Sequence, residues 1–71
     1  MSKLRSLFGK RVRQLRRLKD MTQEELAEAV GISPEFISNL ERGVNSPSFD
    51  TLEKLAEALD VAPVEFFIFN E

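Results

Sequence analysis

The stretch from Ser33 to Asn39 reads SPEFISN, and its polar side chains have the types and spacing to recognise another molecule through hydrogen bonds. On a helix that turns Ile37 and Leu40 inward, Pro34, Glu35, Ser38 and Asn39 come to the outer side. Asn39 carries an acceptor and donors side by side, a match for N6 and N7 of adenine. Glu35 can accept from N4 of cytosine, and Ser33 or Ser38 can bond either a base edge or a phosphate. Pro34 offers only apolar contact, such as one to a thymine methyl group. Glu35 also repels phosphates and thereby penalises wrong placement. Reactions find less to work with. The chain has no His and no Cys, which removes imidazole acid–base catalysis, disulfides and Cys/His zinc sites together. Neither a nucleophile–base pair nor a metal-ligand set is visible, and Glu24, Glu25 and Glu28 read as a solvated helix face. The expectation is a binding protein with no catalytic residue, no metal and no cofactor.

The elements that hold this ridge are marked by their end signals. Thr22 is placed to N-cap a helix from about 23 to 30, with Glu25 reaching back to the threonine N–H and Met21 and Leu26 as a hydrophobic staple. Gly31 stands where the helix end needs a positive φ. Ile32, Ser33 and Pro34 then act as staple, N-cap and first position of a second helix, about 34–42, with Ile37 completing the staple. Leu26, Val30, Ile32, Ile37 and Leu40 give the pair one buried edge, and the small Ala27 lets the two helices cross closely. A longer helix precedes them, about 3–19, with Leu4, Leu7, Phe8, Val12, Leu15 and Leu18 on its core side. Another follows from about 49 to 59, capped by Ser48, with Leu52, Leu55, Ala56 and Leu59 at core spacing and Asp50, Glu53, Glu57 and Asp60 outside. Pro63 opens a last short helix to about Phe67. Asp20 and Met21 connect the first two helices without glycine, so a slightly strained turn is expected. The fold class is all-α, one domain over 1–71.

The order T-Q-E-E-L-A, then V-G-I-S, F-I-S-x-L-E-R-G and N-S-P-S resembles the helix-turn-helix domain of the phage Cro and repressor type, the XRE family, from about Phe8 to Phe67. The resemblance implies a compact five-helix, lambda-repressor-like domain. Its second and third helices would carry DNA recognition, the third in the major groove, and a dimer would read a two-fold symmetric site. It implies base contacts from Ser33, Pro34, Glu35, Ser38 and Asn39, where Pro34 departs from the long polar residue of many relatives. Phosphate contacts fall to Thr22, Gln23, Arg42, Asn45 and Ser46. For Gln23 the residues alone also allow an exposed polar side chain in a capped turn, and for Arg42 a helix-capping cation. The resemblance further implies that Arg16 pairs with Glu41 and ties helix 1 to helix 3. Phe36 divides between core edge and groove wall.

A domain of this length buries only about 60% of the surface its unfolded chain exposes, so dimerisation would help it. The net charge of −2 argues weakly against a nucleic-acid binder, but the distribution is lopsided. Residues 1–19 hold eight cations and no acid, whereas residues 20–71 hold Arg42 and Lys54 against all 12 acids. Such a molecule can turn a positive face to DNA. Lys10, Arg13 and Arg17 serve either as a solvated face or as a long-range attractor of phosphates. No apolar run approaches the roughly 18 residues of a membrane span, and the amino terminus is too charged for a secretory signal, which sets a cytoplasmic location as the expectation. Phe66, Phe67, Ile68 and Phe69 form an apolar tail. Phe67, Ile68 and Phe69 are expected to pack on a second subunit as a homodimer; otherwise Phe66 and one neighbour close the core while the rest fray. The chain ends two residues after Phe69, so no attached sensor or cleavage domain is expected. The leading expectation is a sequence-specific, dimeric transcriptional regulator of double-stranded DNA. The alternative is an antitoxin or other protein-interaction module of the same fold, acting through acidic helix 4 or the apolar tail; an enzyme stands third.

Overall fold

Side-chain caps start three of the helices in this protein. The computed structural model describes residues 3–69; residues 1, 2, 70 and 71 of the expected 1–71 domain lie outside the described residues. Four α-helices, α1 (Lys3–Leu18), α2 (Gln23–Val30), α3 (Pro34–Glu41) and α4 (Phe49–Leu59), are followed by a 3-10 helix, Pro63–Phe67. Thr22 and Glu25 form a reciprocal capping box at the start of α2, and the Ser33 and Ser48 hydroxyls accept from the Phe36 and Thr51 N–H groups. Gly31 at φ 84° ends α2, its N–H and that of Ile32 both donating to Ala27 O. The expected short last helix is present as a 3-10 helix, whose cap residue Ala62 makes no side-chain bond. α1 and α3 each stop one residue before the expected limit. Asp20, at φ 55°, occupies the left-handed region between α1 and α2, a place where aspartate is tolerated better than most side chains.

Helices α2 and α3 pack on each other, α1 on α3, α4 on α2, and the 3-10 helix on α1. Leu26, Ile37, Leu40, Leu55, Leu59, Val12 and Phe66 are fully buried between them, and Phe36 packs half-buried against this core, at its edge. The expected core side of α1 is corrected by the packing. Leu4 and Leu18 are 56% and 73% exposed, while the buried positions are Phe8, Gly9, Val12, Leu15 and Arg16. The buried face is therefore rotated from the apolar arc toward Gly9. The reason is close approach: a Cβ at Gly9 would fall within 2.7 Å of Glu41 O and 2.9 Å of Glu41 C, and nearer still to Leu40 O. Without one, α1 rests directly on the backbone at the end of α3.

The tail folds back on α1. Phe8 stacks between Phe66 and Phe67, with ring centroids 5.5 and 5.6 Å away, and Phe69 meets Phe67 edge-on at 6.4 Å. Arg11 fastens the turn from the side, its Nε donating to Glu65 O at 2.7 Å and its Nη2 to Glu65 Oε1 at 3.0 Å.

Candidate nucleic-acid interface

α3 begins at Ser33, whose Oγ is engaged as acceptor to Phe36 N at 3.1 Å. Its hydroxyl hydrogen is not engaged by this bond, so Ser33 keeps a donor to offer. Pro34 and Glu35 are exposed beside it, and Ser38 and Asn39, one turn further on, are half-buried. Ile37 and Leu40, both 0% exposed, lock the opposite face. A ridge held this way loses little side-chain and backbone freedom on docking.

Asn39 is less free than the sequence implies. Its Oδ1 accepts from Arg42 Nη2, which leaves one lone pair of that oxygen and the amino group, the latter suited to the acceptor atoms of guanine, thymine O4 or adenine N7. The two-point adenine pairing expected from the residue type requires Arg42 to share or release that oxygen. The backbone of Asn39 is occupied as well, its carbonyl accepting from Val44 N at 2.9 Å and Asn45 N at 3.4 Å. With its backbone N–H engaged, Asn45 has its side chain left to offer, and exposed Ser46 stands next to it.

Behind the ridge lies a buried polar junction. Arg16 and Glu41 meet in a two-point pair, Nε to Oε2 at 2.6 Å and Nη2 to Oε1 at 3.0 Å, with side chains only 9% and 2% exposed. Arg16 Nη1 also donates to Met21 O at 2.7 Å, and Gln23 Nε2 donates to Glu41 Oε1 at 3.0 Å. One carboxylate thus gathers α1, the turn after it, the start of α2 and the end of α3. An acid in the last turn of a helix opposes the helix dipole and is costly to bury alone; here the guanidinium offsets both. Gln23 divides its roles: one amide hydrogen fixes Glu41, while its backbone N–H, in the first turn of α2, still points out of the helix end. Thr22 has its N–H tied to Glu25 Oε1 at 2.8 Å and its Oγ1 accepting from Glu25 N at 3.0 Å, which leaves the hydroxyl hydrogen as the donor it can offer.

Two apolar grooves flank the tail, a division that the run of four apolar residues does not reveal by itself. Leu4, Phe8, Pro47, Phe49, Leu52 and Phe67 line the first, with Arg5 and Ser46 as its polar members; Phe49, 84% exposed, is its most open side chain. Ile68 and Phe69 line the second, together with Leu7, Leu18, Lys10, Arg11, Arg13 and Arg17. The aromatic at the first position of α4 is the sequence signal for the first groove, since a phenylalanine there has no helix of its own to lean on. Among the described residues there is no group of three or more acidic, His or Cys side chains suited to a metal ion.

The helix-turn-helix family model matches residues 12–66. The chain is 45% identical over 62 residues to the HTH-type transcriptional regulator y4dJ of Sinorhizobium fredii, covering 87% of this chain and 80% of that protein. It is 41% identical over 68 residues to control protein C.BamHI of Bacillus amyloliquefaciens, with 94% and 84% covered. The crystal structure of the restriction-modification controller protein C.AhdI from Aeromonas hydrophila superposes with a TM-score of 0.85 at 40% identity, covering 87% of this chain and 94% of that one. The α2–turn–α3 unit, its outward polar ridge and these likenesses have one reading: the chain belongs to the Cro and repressor type of helix-turn-helix family, that of DNA-binding transcriptional regulators.

Proposed function

We propose that the protein binds double-stranded DNA as a homodimer and regulates transcription by occupying a two-fold symmetric operator, with α3 of each subunit in the major groove. The observation that carries this reading is the ridge from Ser33 to Asn39, outward on a helix whose other face is locked into the core. Ser33, Pro34, Glu35, Ser38 and Asn39 read bases, and Thr22, Gln23, Arg42, Asn45 and Ser46 hold phosphates. No helix among the described residues is long and apolar enough to cross a membrane, and a protein that works on DNA this way acts in the cytoplasm without catalysis.

Selection of bound duplexes from a random pool tests the proposal. A symmetric consensus with half-sites about one helical turn apart is expected. Asn39→Ala should relax preference at one base pair per half-site and cost about 1–3 kcal/mol there. Recovery of unrelated sequences by the wild-type protein, with binding insensitive to salt, would favour a protein-interaction module instead.

The second subunit docks on the groove of Leu4, Phe49 and Phe67. Charge favours this face: it carries one cation, Arg5, whereas the groove of Ile68 and Phe69 is rimmed by Lys10, Arg11, Arg13 and Arg17, which two copies would bring against each other. Of the three tail residues expected at the interface, Phe67 belongs to this groove, while Ile68 and Phe69 sit on the other side. Phe49→Asp leaves the subunit intact, because the ring is exposed and an acid suits the first turn of a helix. Sedimentation should show at least a tenfold weaker dimer, about 1.4 kcal/mol. A dimer unaltered by this substitution would place the interface elsewhere.

A further inference from the structure

Arg13 and Arg17 on α1 and Arg42 at the end of α3 rim a cleft of about 350 Å³ whose wall includes Gln23 and Ser38. The Arg16–Glu41 pair forms its floor. All three rim arginines are exposed. Among the described residues Arg13 and Arg17 have no ion-pair or hydrogen-bond partner, and Arg42 donates only to the neutral Asn39. The one carboxylate at the cleft, Glu41, is already matched by Arg16 at 2.6 Å. The floor is therefore neutral and the rim carries three uncompensated guanidiniums, each with a planar fork of donors that fits two oxygens of one phosphate. Ser38 adds a hydroxyl, and the Gln23 amide has one hydrogen not engaged by Glu41.

We propose that this cleft seats a single backbone phosphodiester of bound DNA, so that α1 is a working part of the DNA grip rather than a scaffold with a diffuse positive field. The inference rests on the DNA-binding reading above and deepens it. The cleft lies between α1 and the reading helix, with Ser38 and Arg42 close to Asn39 in the chain. A phosphate there fixes the strand beside the groove that α3 enters, and it draws in Arg42 while that side chain still holds Asn39. Arg13 and Arg17 thus place the reader without touching a base.

The test compares wild type with the Arg13→Gln/Arg17→Gln double variant on the selected duplex. Both side chains are exposed and unpartnered, so an unchanged melting temperature is expected. The slope of log affinity against log salt should flatten by about 0.9 for each phosphate that the variant no longer neutralises, with the base preferences unaltered. Each phosphate of a half-site is then replaced in turn by a neutral methylphosphonate. One replacement is expected to weaken wild type strongly and the double variant little. If every replacement weakens the two proteins alike, the arginines act only as a field, and if the salt slope does not change they take no part in binding; either result removes the seat. Should wild type bind no duplex at all, the DNA-binding reading falls and takes the seat with it.

Discussion

Glu41→Ala is expected to lower the unfolding free energy by about 3–5 kcal/mol, measured by urea denaturation at one fixed protomer concentration. The carboxylate is 2% exposed and accepts three hydrogen bonds, two from Arg16 and one from Gln23. Its removal leaves a guanidinium 9% exposed with Met21 O as its one remaining bonded acceptor among the described residues. The cost is mainly that of a stranded charge and not the net worth of the pair. Arg16→Met/Glu41→Leu, which removes both charges and refills the space, should therefore recover most of the loss. DNA binding should separate from stability in that double variant. Gln23 has no acceptor there to fix it, so affinity for all duplexes should stay reduced even where the fold is restored. A Glu41→Ala protein as stable as wild type would mean that water reaches Arg16 and that the junction contributes nothing to holding α3.

The local code of this chain is strong where caps are concerned and weak where helix faces are concerned. Thr22, Gly31, Ser33 and Ser48 mark boundaries through bonds made within a few residues, so no knowledge of the rest of the fold is needed to place them. The buried side of α1 depends on its neighbour instead. Leu4, Leu7, Leu15 and Leu18 describe an apolar arc, but Gly9 draws α3 toward the other edge of it, so Leu4 and Leu18 remain open for other partners. Arg11 carries a further signal. At helical spacing it sits in the middle of that apolar arc, and a cation in such a place implies a partner; the partner, Glu65, is 54 residues away. For the candidate site, the residue types of the ridge are readable in the sequence, whereas the atoms already engaged within the fold are not. That Asn39 Oδ1 is held by Arg42, and that Arg13 and Arg17 share a cleft with Arg42, follow only from how α1 and α3 are packed.

Gly9→Ala provides the sharpest check on that packing, and its sign is set by two opposing effects. In an isolated helix the change would be favourable by about 1 kcal/mol, since alanine restricts the unfolded chain and favours helix. Here the added methyl would meet Glu41 O at 2.7 Å and Glu41 C at 2.9 Å, atoms of backbone that cannot rotate away. Forcing a methyl into a closed contact costs about 3 kcal/mol, so a net loss of about 2 kcal/mol is expected in urea denaturation. Lys10→Ala, one position along on the exposed side of α1, serves as the control and should stay within about 0.5 kcal/mol of wild type. The displaced atoms carry the end of α3, so the damage should extend to function. Moving α1 outward stretches the Arg16–Glu41 pair and opens the cleft shared with Arg42. At temperatures where the variant is fully folded, its affinity for the selected operator should fall with the salt slope flattened. If Gly9→Ala instead proves as stable as wild type, or more so, α1 does not rest on the backbone of α3, and the geometry that aims the ridge must be different.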